Sequence, residues 1–171
     1  MLQFSTNTGN TFALSTADNR IYTHTLDSEK IKVEASRQIR FLFKFVNDMS
    51  KDVTYVYPTI TNFYNRYTLM GVSNLGTGTP DMFAGQIKLT MSGHYTYEVY
   101  EVSWGGNAVV TETTAPASET QVFDPASNTK GVVRGLVTKG TMYMDDKAGT
   151  EQVQYTQYPE PSETNTIYYG Q

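Results

Sequence analysis

Two histidines are the side chains in this chain of 171 residues that come closest to general acid–base or metal chemistry. Neither His24 nor His94 has a second histidine at the spacing of a metal site. Glu98 follows His94 by four residues, and in a strand the two share a face but lie ~13 Å apart. That distance is too long for a catalytic pair, so we interpret His94 as a surface histidine.

Carboxylates are grouped at two predicted turns, Asp48 with Asp52, and Asp145 and Asp146 with Glu151. Neither group has the alternating oxygens and fixed glycine of a calcium loop, so we interpret both as solvated turns. The chain has no P-loop, no Gly-x-Ser-x-Gly and no dinucleotide fingerprint. We therefore predict no catalytic residues, no cofactor, no metal and no enzyme. A glycosidase, which needs two facing carboxylates, is the least supported alternative.

Tyrosine is the most frequent aromatic residue, with thirteen Tyr against eight Phe and one Trp. Four of the tyrosines lie in the stretch 150–171, which is rich in Gln and Thr and has no core of its own. Tyrosine combines apolar area with a polar tip and is enriched at interfaces. We predict partner-binding anchors at Tyr155, Tyr158, Ile167, Tyr168 and Tyr169. A disordered chain end is the alternative.

Trp104, the one tryptophan, supports a rival function. Gly105 and Gly106 follow it and interrupt the strand pattern. An exposed indole at this position, together with loop tyrosines, could stack on sugars. A carbohydrate-binding or adhesin module is therefore the alternative to a structural protein.

The clearest strand is 39–46, where every second position is apolar and Arg40 and Lys44 lie between them. A strand with three phenylalanines on one face belongs at the centre of a β-sandwich. The apolar face consists of Ile39, Phe41, Phe43 and Phe45.

A second pair of strands, 86–91 and 94–103, meets at Gly93. The spacing Gly-x-Tyr-x-Tyr resembles the tyrosine corner of immunoglobulin-like sandwiches. There the first tyrosine bonds back to upstream backbone, so we predict that bond for Tyr95. Tyr97 then stands where those domains have a cysteine. An ordinary aromatic hairpin is the alternative.

The remaining pattern predicts one all-β domain with a single core over residues 1–149, and an extended C-terminal arm over 150–171. The fold class is an immunoglobulin-like antiparallel β-sandwich without a disulfide, because the chain has no cysteine. We predict 105–130 to be a long, loosely ordered connection. Further strands are predicted at 2–6, 11–15, 21–26, 31–35, 53–57, 66–72 and 132–144.

The charge and the apolar content of the chain limit the kinds of partner that we expect. The net charge is −4 with a pI near 5.1 and there is no basic cluster, so we expect no nucleic-acid partner. The apolar runs are far shorter than a membrane span, and the N-terminus lacks the pattern of a signal peptide. We expect a product assembled in the cytoplasm, with no membrane partner.

Four segments follow one another along the chain: the Phe-rich strand ending in Asn47-Asp48, 85–89, 93–101 and 136–144. Together they are similar to small Ig-like virion proteins of tailed bacteriophages. The similarity covers roughly residues 39–144. It implies a structural protein of the virion, capsid-associated as a decoration or minor capsid protein, or at a fibre base. The partners that it implies are neighbouring virion or capsid proteins, and a homo-oligomer is a further alternative. The similarity implies no catalytic residues.

Overall fold

The computed structural model describes residues 1–16, 37–63, 66–105, 109–123 and 129–145. These ranges form nine strands and a short 3₁₀ turn at Met82–Ala84, with no α-helix. The prediction of an all-β chain is confirmed. The predicted strands at 21–26 and 31–35 and the arm 150–171 lie outside the described residues. The strands are β1 Leu2–Ser5, β2 Thr8–Ser15, β3 Arg37–Asn47, β4 Val53–Val56, β5 Thr59–Phe63, β6 Tyr67–Asn74, β7 Gln86–Ile87, β8 Gly93–Gly105 and β9 Val132–Asp145.

The strands form two sheets. The first has the order β1-β9-β8-β3-β4, and the second has the order β2-β6-β5 with β7 beside β6. β1 pairs with β9 in parallel, and β7 pairs with β6 in parallel, so the prediction of a purely antiparallel sandwich is wrong at these two pairs. Neither pair is joined by a hairpin, and only a hairpin forces two neighbouring strands to run antiparallel.

The main core lies between the two sheets and is built on the Phe-rich strand, β3. Phe41, Phe43 and Phe45 are at most 1% exposed, which confirms the predicted apolar face. The ring of Phe43 lies 5.6 Å from that of Phe12 on β2 and 6.2 Å from that of Tyr97 on β8. The aromatic rings therefore link both sheets through the centre of the domain.

A second apolar cluster lies on the opposite face of the five-stranded sheet. It contains Leu42, Tyr57, Val102, Trp104 and Ala115, all buried. The prediction of a single core is therefore wrong, although both clusters belong to the same sandwich. The second cluster exists because the connection after β8 folds back over the outer face of the sheet.

Two strands differ from the sequence pattern for local reasons. β5 was not predicted, and a register shift between Ile60 and Asn62 interrupts its alternation. The predicted strand 86–91 shortens to β7, because the backbone N–H of Leu89 donates to the Asn74 side chain at 3.0 Å rather than to a neighbouring strand. Both features depend on contacts that a period-two pattern does not contain.

Candidate functional site

The corner before β8 has the predicted geometry. The Tyr95 hydroxyl donates to the Met91 carbonyl at 2.6 Å, which confirms the bond back to upstream backbone. Gly93, between them, has φ 121°, a backbone conformation that residues with a side chain rarely adopt. The corner therefore fixes where β8 begins.

Trp104 is buried, with 1% of its surface exposed. Its indole N–H donates to the Thr114 carbonyl at 2.9 Å, and its ring meets that of Tyr57 edge-on at 6.1 Å. A sugar-stacking platform must face solvent, so the prediction of Trp104 as that platform is wrong. The adhesin hypothesis thereby loses the residue on which it mainly rests.

Residues 109–123, which we call the strap, cover Trp104 and its neighbours. The Tyr57 hydroxyl donates to the Pro116 carbonyl at 2.8 Å, and the N–H of Gly131 donates to the Thr114 carbonyl at 2.7 Å. Ala115 is buried between these anchors. The prediction of a loosely ordered connection is therefore wrong for the strap, which is attached along much of its length.

A charged network attaches the far part of the strap to the sheet. Lys44 on β3 lies 2.6 Å from a carboxylate oxygen of Glu119 on the strap and 3.4 Å from one of Glu98 on β8. The Tyr55 hydroxyl donates to Glu119 at 2.5 Å, and the Tyr100 hydroxyl donates to Glu98 at 2.7 Å. Each carboxylate thus accepts from a tyrosine and faces the same lysine.

The electrostatics of this network favour attachment over proton transfer. The hydrogen bond to Glu119 is the main reason that the pKa of Lys44 is raised. Burial and the bond to Glu119 raise the pKa of Tyr55 to about 12. Burial opposes ionisation of Glu119, but the bonds from Lys44 and Tyr55 outweigh it and lower the pKa. Near neutral pH all three groups keep their ordinary charge, so none is suited to general acid–base catalysis.

His94 and the predicted turn at Asp48 and Asp52 are located as expected. Asp145 is the last residue of β9 rather than part of a turn, and Asp146 and Glu151 lie outside the described residues. His94 is exposed and its ring packs against that of Tyr143 at 5.2 Å. Asp48 accepts from the Thr96 hydroxyl, and Asp52 accepts from that of Ser50, as in ordinary turns. Within the described ranges no group of three or more His, Asp or Glu could hold a metal ion, and no helix is long and apolar enough to cross a membrane.

A pocket of about 210 Å³ opens at the end of the sandwich near the tyrosine corner. Apolar Leu89 and Met144 line it together with Lys88, Thr90 and Ser92. Small-molecule sites usually measure ~300–1,000 Å³. The size of this pocket therefore argues against a small-molecule site.

The predicted partner-binding anchors, Tyr155, Tyr158, Ile167, Tyr168 and Tyr169, lie outside the described residues. Comparison of the chain with models of protein families, with curated proteins and with solved structures finds no match.

Proposed function

We propose that the chain is a non-enzymatic structural protein of a tailed-bacteriophage virion, a capsid-associated Ig-like module that binds neighbouring virion subunits. The strand order is the observation that carries the Ig-like assignment. With β7 left out, the strands can be lettered in chain order: β1 to β6 are A, B, C, C′, D and E, and β8 and β9 are F and G. The two sheets then have the orders A-G-F-C-C′ and B-E-D. In immunoglobulin-like sandwiches G, F and C share one sheet and B, E and D share the other.

The centre of the core supports the same assignment. Immunoglobulin domains join strands B and F by a disulfide that packs on a tryptophan of strand C. Here the rings of Phe12 on B, Phe43 on C and Tyr97 on F form a continuous series of contacts across that position, edge-on between the first two and stacked between the last two. Tyr95 lies two residues before Tyr97 and makes the bond of a tyrosine corner. Aromatic packing thus replaces the covalent link between the sheets.

The virion assignment follows from the similarity over residues 39–144 together with the arm. The described members of both apolar clusters lie within residues 2–144, ahead of the arm in the sequence. Tyrosines that follow the sandwich in a polar stretch of the sequence are suited to a surface on another subunit. The arm therefore supplies the contacts, and the sandwich supplies a rigid base for them.

Co-sedimentation with purified phage particles that lack this protein tests the proposal. We expect the full chain to pellet with the particles. A variant with Tyr155, Tyr158, Tyr168 and Tyr169 changed to Ser should stay in the supernatant while its circular dichroism is unchanged. The matched control changes Val109 and Val122 to Ser, because both are highly exposed apolar residues of the strap. A full chain that remains in the supernatant at saturating particle concentration would overturn the proposal.

A further inference from the structure

The strap packs on the outer face of the five-stranded sheet and takes no part in the main core. The described members of the main cluster, on the other face of that sheet, include no residue of the strap. In the part of the chain that the structure describes, the strap pairs with no strand, and its buried residues are Ala115 and Pro116. Because the sheet separates the two clusters, the strap can leave the sheet without opening the main core.

Hydrogen bonds within the strap hold it together as two turns. In the first turn, the N–H of Ala115 donates to the Thr111 carbonyl at 2.8 Å, and the N–H of Thr111 donates to the Thr114 hydroxyl at 3.1 Å. In the second turn, the N–H of Ala117 donates to the side chain of Gln121 at 2.6 Å. None of these bonds involves the sheet, so they can persist when the strap leaves it. We therefore expect the strap to move as a unit.

The two turns are attached to the sheet by different chemistry. The first is held by neutral bonds, in which Trp104 and Tyr57 donate to strap carbonyls at 2.9 and 2.8 Å. The second is held by Glu119, whose carboxylate accepts from Lys44 on β3 and from Tyr55 on β4. Glu119 is therefore the attachment whose charge responds to acid.

Lys44 has a second carboxylate partner that does not belong to the strap. Glu98 on β8 lies 3.4 Å from the Lys44 ammonium, and Glu119 lies 2.6 Å from it. If the strap leaves, Lys44 keeps an ion pair within the sheet, so the open sheet face carries no unpaired charge. The two carboxylates also repel each other while they share the lysine, which favours release.

Protonation of Glu119 acts against attachment. Burial opposes ionisation of Glu119, but the bonds from Lys44 and Tyr55 outweigh it and lower its pKa. The attached strap therefore binds this proton less readily than the detached strap, so uptake of the proton favours detachment. The effect is absent above the ordinary value of 4.5 and grows as the pH falls through the lower, folded value. Lys44 and Tyr55 face Glu119 from the sheet, and Glu98, bound to Tyr100, faces the same lysine.

We propose that the strap is a cover released by acid. When Glu119 takes up a proton, the strap leaves the five-stranded sheet as a unit and uncovers the apolar face around Trp104, while the sandwich stays folded. Lys44 then keeps Glu98 as its partner. The inference concerns the sandwich alone and does not depend on the proposed role in a virion.

Fluorescence of Trp104 measures this opening directly, because Trp104 is the one tryptophan of the chain and the strap covers it. We expect the acrylamide quenching constant of the full chain to rise at least about threefold between neutral pH and a pH below 4.5. In the same samples the NMR methyl signals of Met70 and Val99, both in the main cluster, should remain those of the folded chain.

Two glutamine variants test the roles of the two carboxylates. Glu119→Gln removes the charge and keeps the shape, so it should raise the quenching constant already at neutral pH. Its matched control is Glu112→Gln, at an exposed strap residue, which should behave as the wild type. Glu98→Gln removes the repulsion in the closed state and the remaining partner of Lys44 in the open state. It should therefore move the rise in quenching to lower pH, whereas a merely structural role of the network would make both variants open more easily.

A quenching constant that does not rise in acid would overturn the inference. A rise that accompanies loss of the methyl signals of Met70 and Val99 would also overturn it, because the strap would then open only with the whole domain. The same conclusion follows if Glu119→Gln is quenched like the wild type at neutral pH. A Glu98→Gln variant in which the rise does not move to lower pH would exclude the exchange of partners by Lys44.

Discussion

At the scale of single residues, two side chains do most to define the sandwich. The Tyr95 hydroxyl bonds to the Met91 carbonyl and closes the corner where β8 begins. Phe43 is completely buried and contacts rings from both sheets. The first side chain acts through one hydrogen bond and the second through its volume, so their loss should differ in magnitude.

Tyr95→Phe removes the corner bond and keeps the ring. We expect a loss of ~0.5–1.5 kcal/mol in the free energy of unfolding, the usual net contribution of one hydrogen bond. The midpoint of urea unfolding measures it, and Tyr143→Phe on β9, whose ring packs on His94, is the control. An unchanged midpoint would mean that the corner bond does not stabilise the domain.

Phe43→Ala leaves a cavity at the centre of the main core. We expect a loss of ~3–5 kcal/mol, since the surrounding strands cannot close around the lost ring. Val53→Ala, at a residue 47% exposed on β4, is the control and should change little. Urea unfolding gives both values, and a loss below about 1 kcal/mol would contradict the role given to Phe43.

At the scale of elements, the strap explains why the outer face of the five-stranded sheet can be apolar. Trp104 and Tyr57 donate to its carbonyls, and Lys44 and Tyr55 bind its Glu119. The backbone anchors do not titrate, whereas the Glu119 anchor does. The attachment of the strap should therefore depend on pH at one of its ends.

Acid should weaken the Glu119 anchor. The pKa of Glu119 is lower in the folded chain than its ordinary value of 4.5. Its stabilising contribution is therefore complete above that ordinary value and is lost as the pH falls through the folded pKa. We expect Glu119→Gln to be less stable than the wild type near neutral pH and to lose less stability below pH 4.5. The measurement is the urea midpoint as a function of pH, with Glu112→Gln, at an exposed strap residue, as the control. Equal acid sensitivity of wild type and Glu119→Gln would exclude this anchor.

Gly131 lies where the chain returns from the strap to β9, against the indole of Trp104. A Cβ added there would lie 2.5 Å from a ring carbon, and a buried indole cannot move aside. We expect Gly131→Ala to cost ~1–3 kcal/mol, as overpacking does, and to shift the fluorescence of Trp104. Gly9→Ala is the control, because its Cβ would meet nothing within 4 Å. An unchanged spectrum and midpoint would contradict the close packing of this return.

At the scale of the whole molecule, the sandwich is followed in the sequence by a segment rich in tyrosine. The described members of both apolar clusters precede this segment. Folding and partner binding should therefore be separable by shortening the chain.

A chain that ends after Gly149 should keep nearly the same melting temperature, because it retains every described residue of both clusters. Scanning calorimetry measures this, and a chain that ends after Gly131 is the control, since it lacks β9 and should not fold. If removal of the arm abolishes folding, the arm belongs to the domain, and the assignment of its tyrosines to a partner fails.

Local patterns in the sequence were sufficient for the parts of the fold that are themselves local. Alternation alone located β3 and its apolar face, because side chains of a strand point to opposite sides in turn. The spacing of Gly93, Tyr95 and Tyr97 predicted the corner, because its hydrogen bond joins residues only four apart. The prediction that the arm's tyrosines bind a partner concerns residues outside the described ranges and stays a prediction.

The tertiary structure decided whatever depends on contacts between distant segments. Trp104 follows the alternation of β8, but its burial depends on Thr114 and the strap, whose polar composition predicts a loose loop. β5 is recognisable only from its pairing with β6, because its register shift breaks the alternation. The position of β2 at the end of its sheet among the described strands likewise depends on the sheet order, because the sequence of a strand does not show which of its sides is paired. The alternation of side chains is a property of the sequence of one strand. Strand pairing, the covering of a sheet face and the exposure of an edge depend on contacts between distant segments.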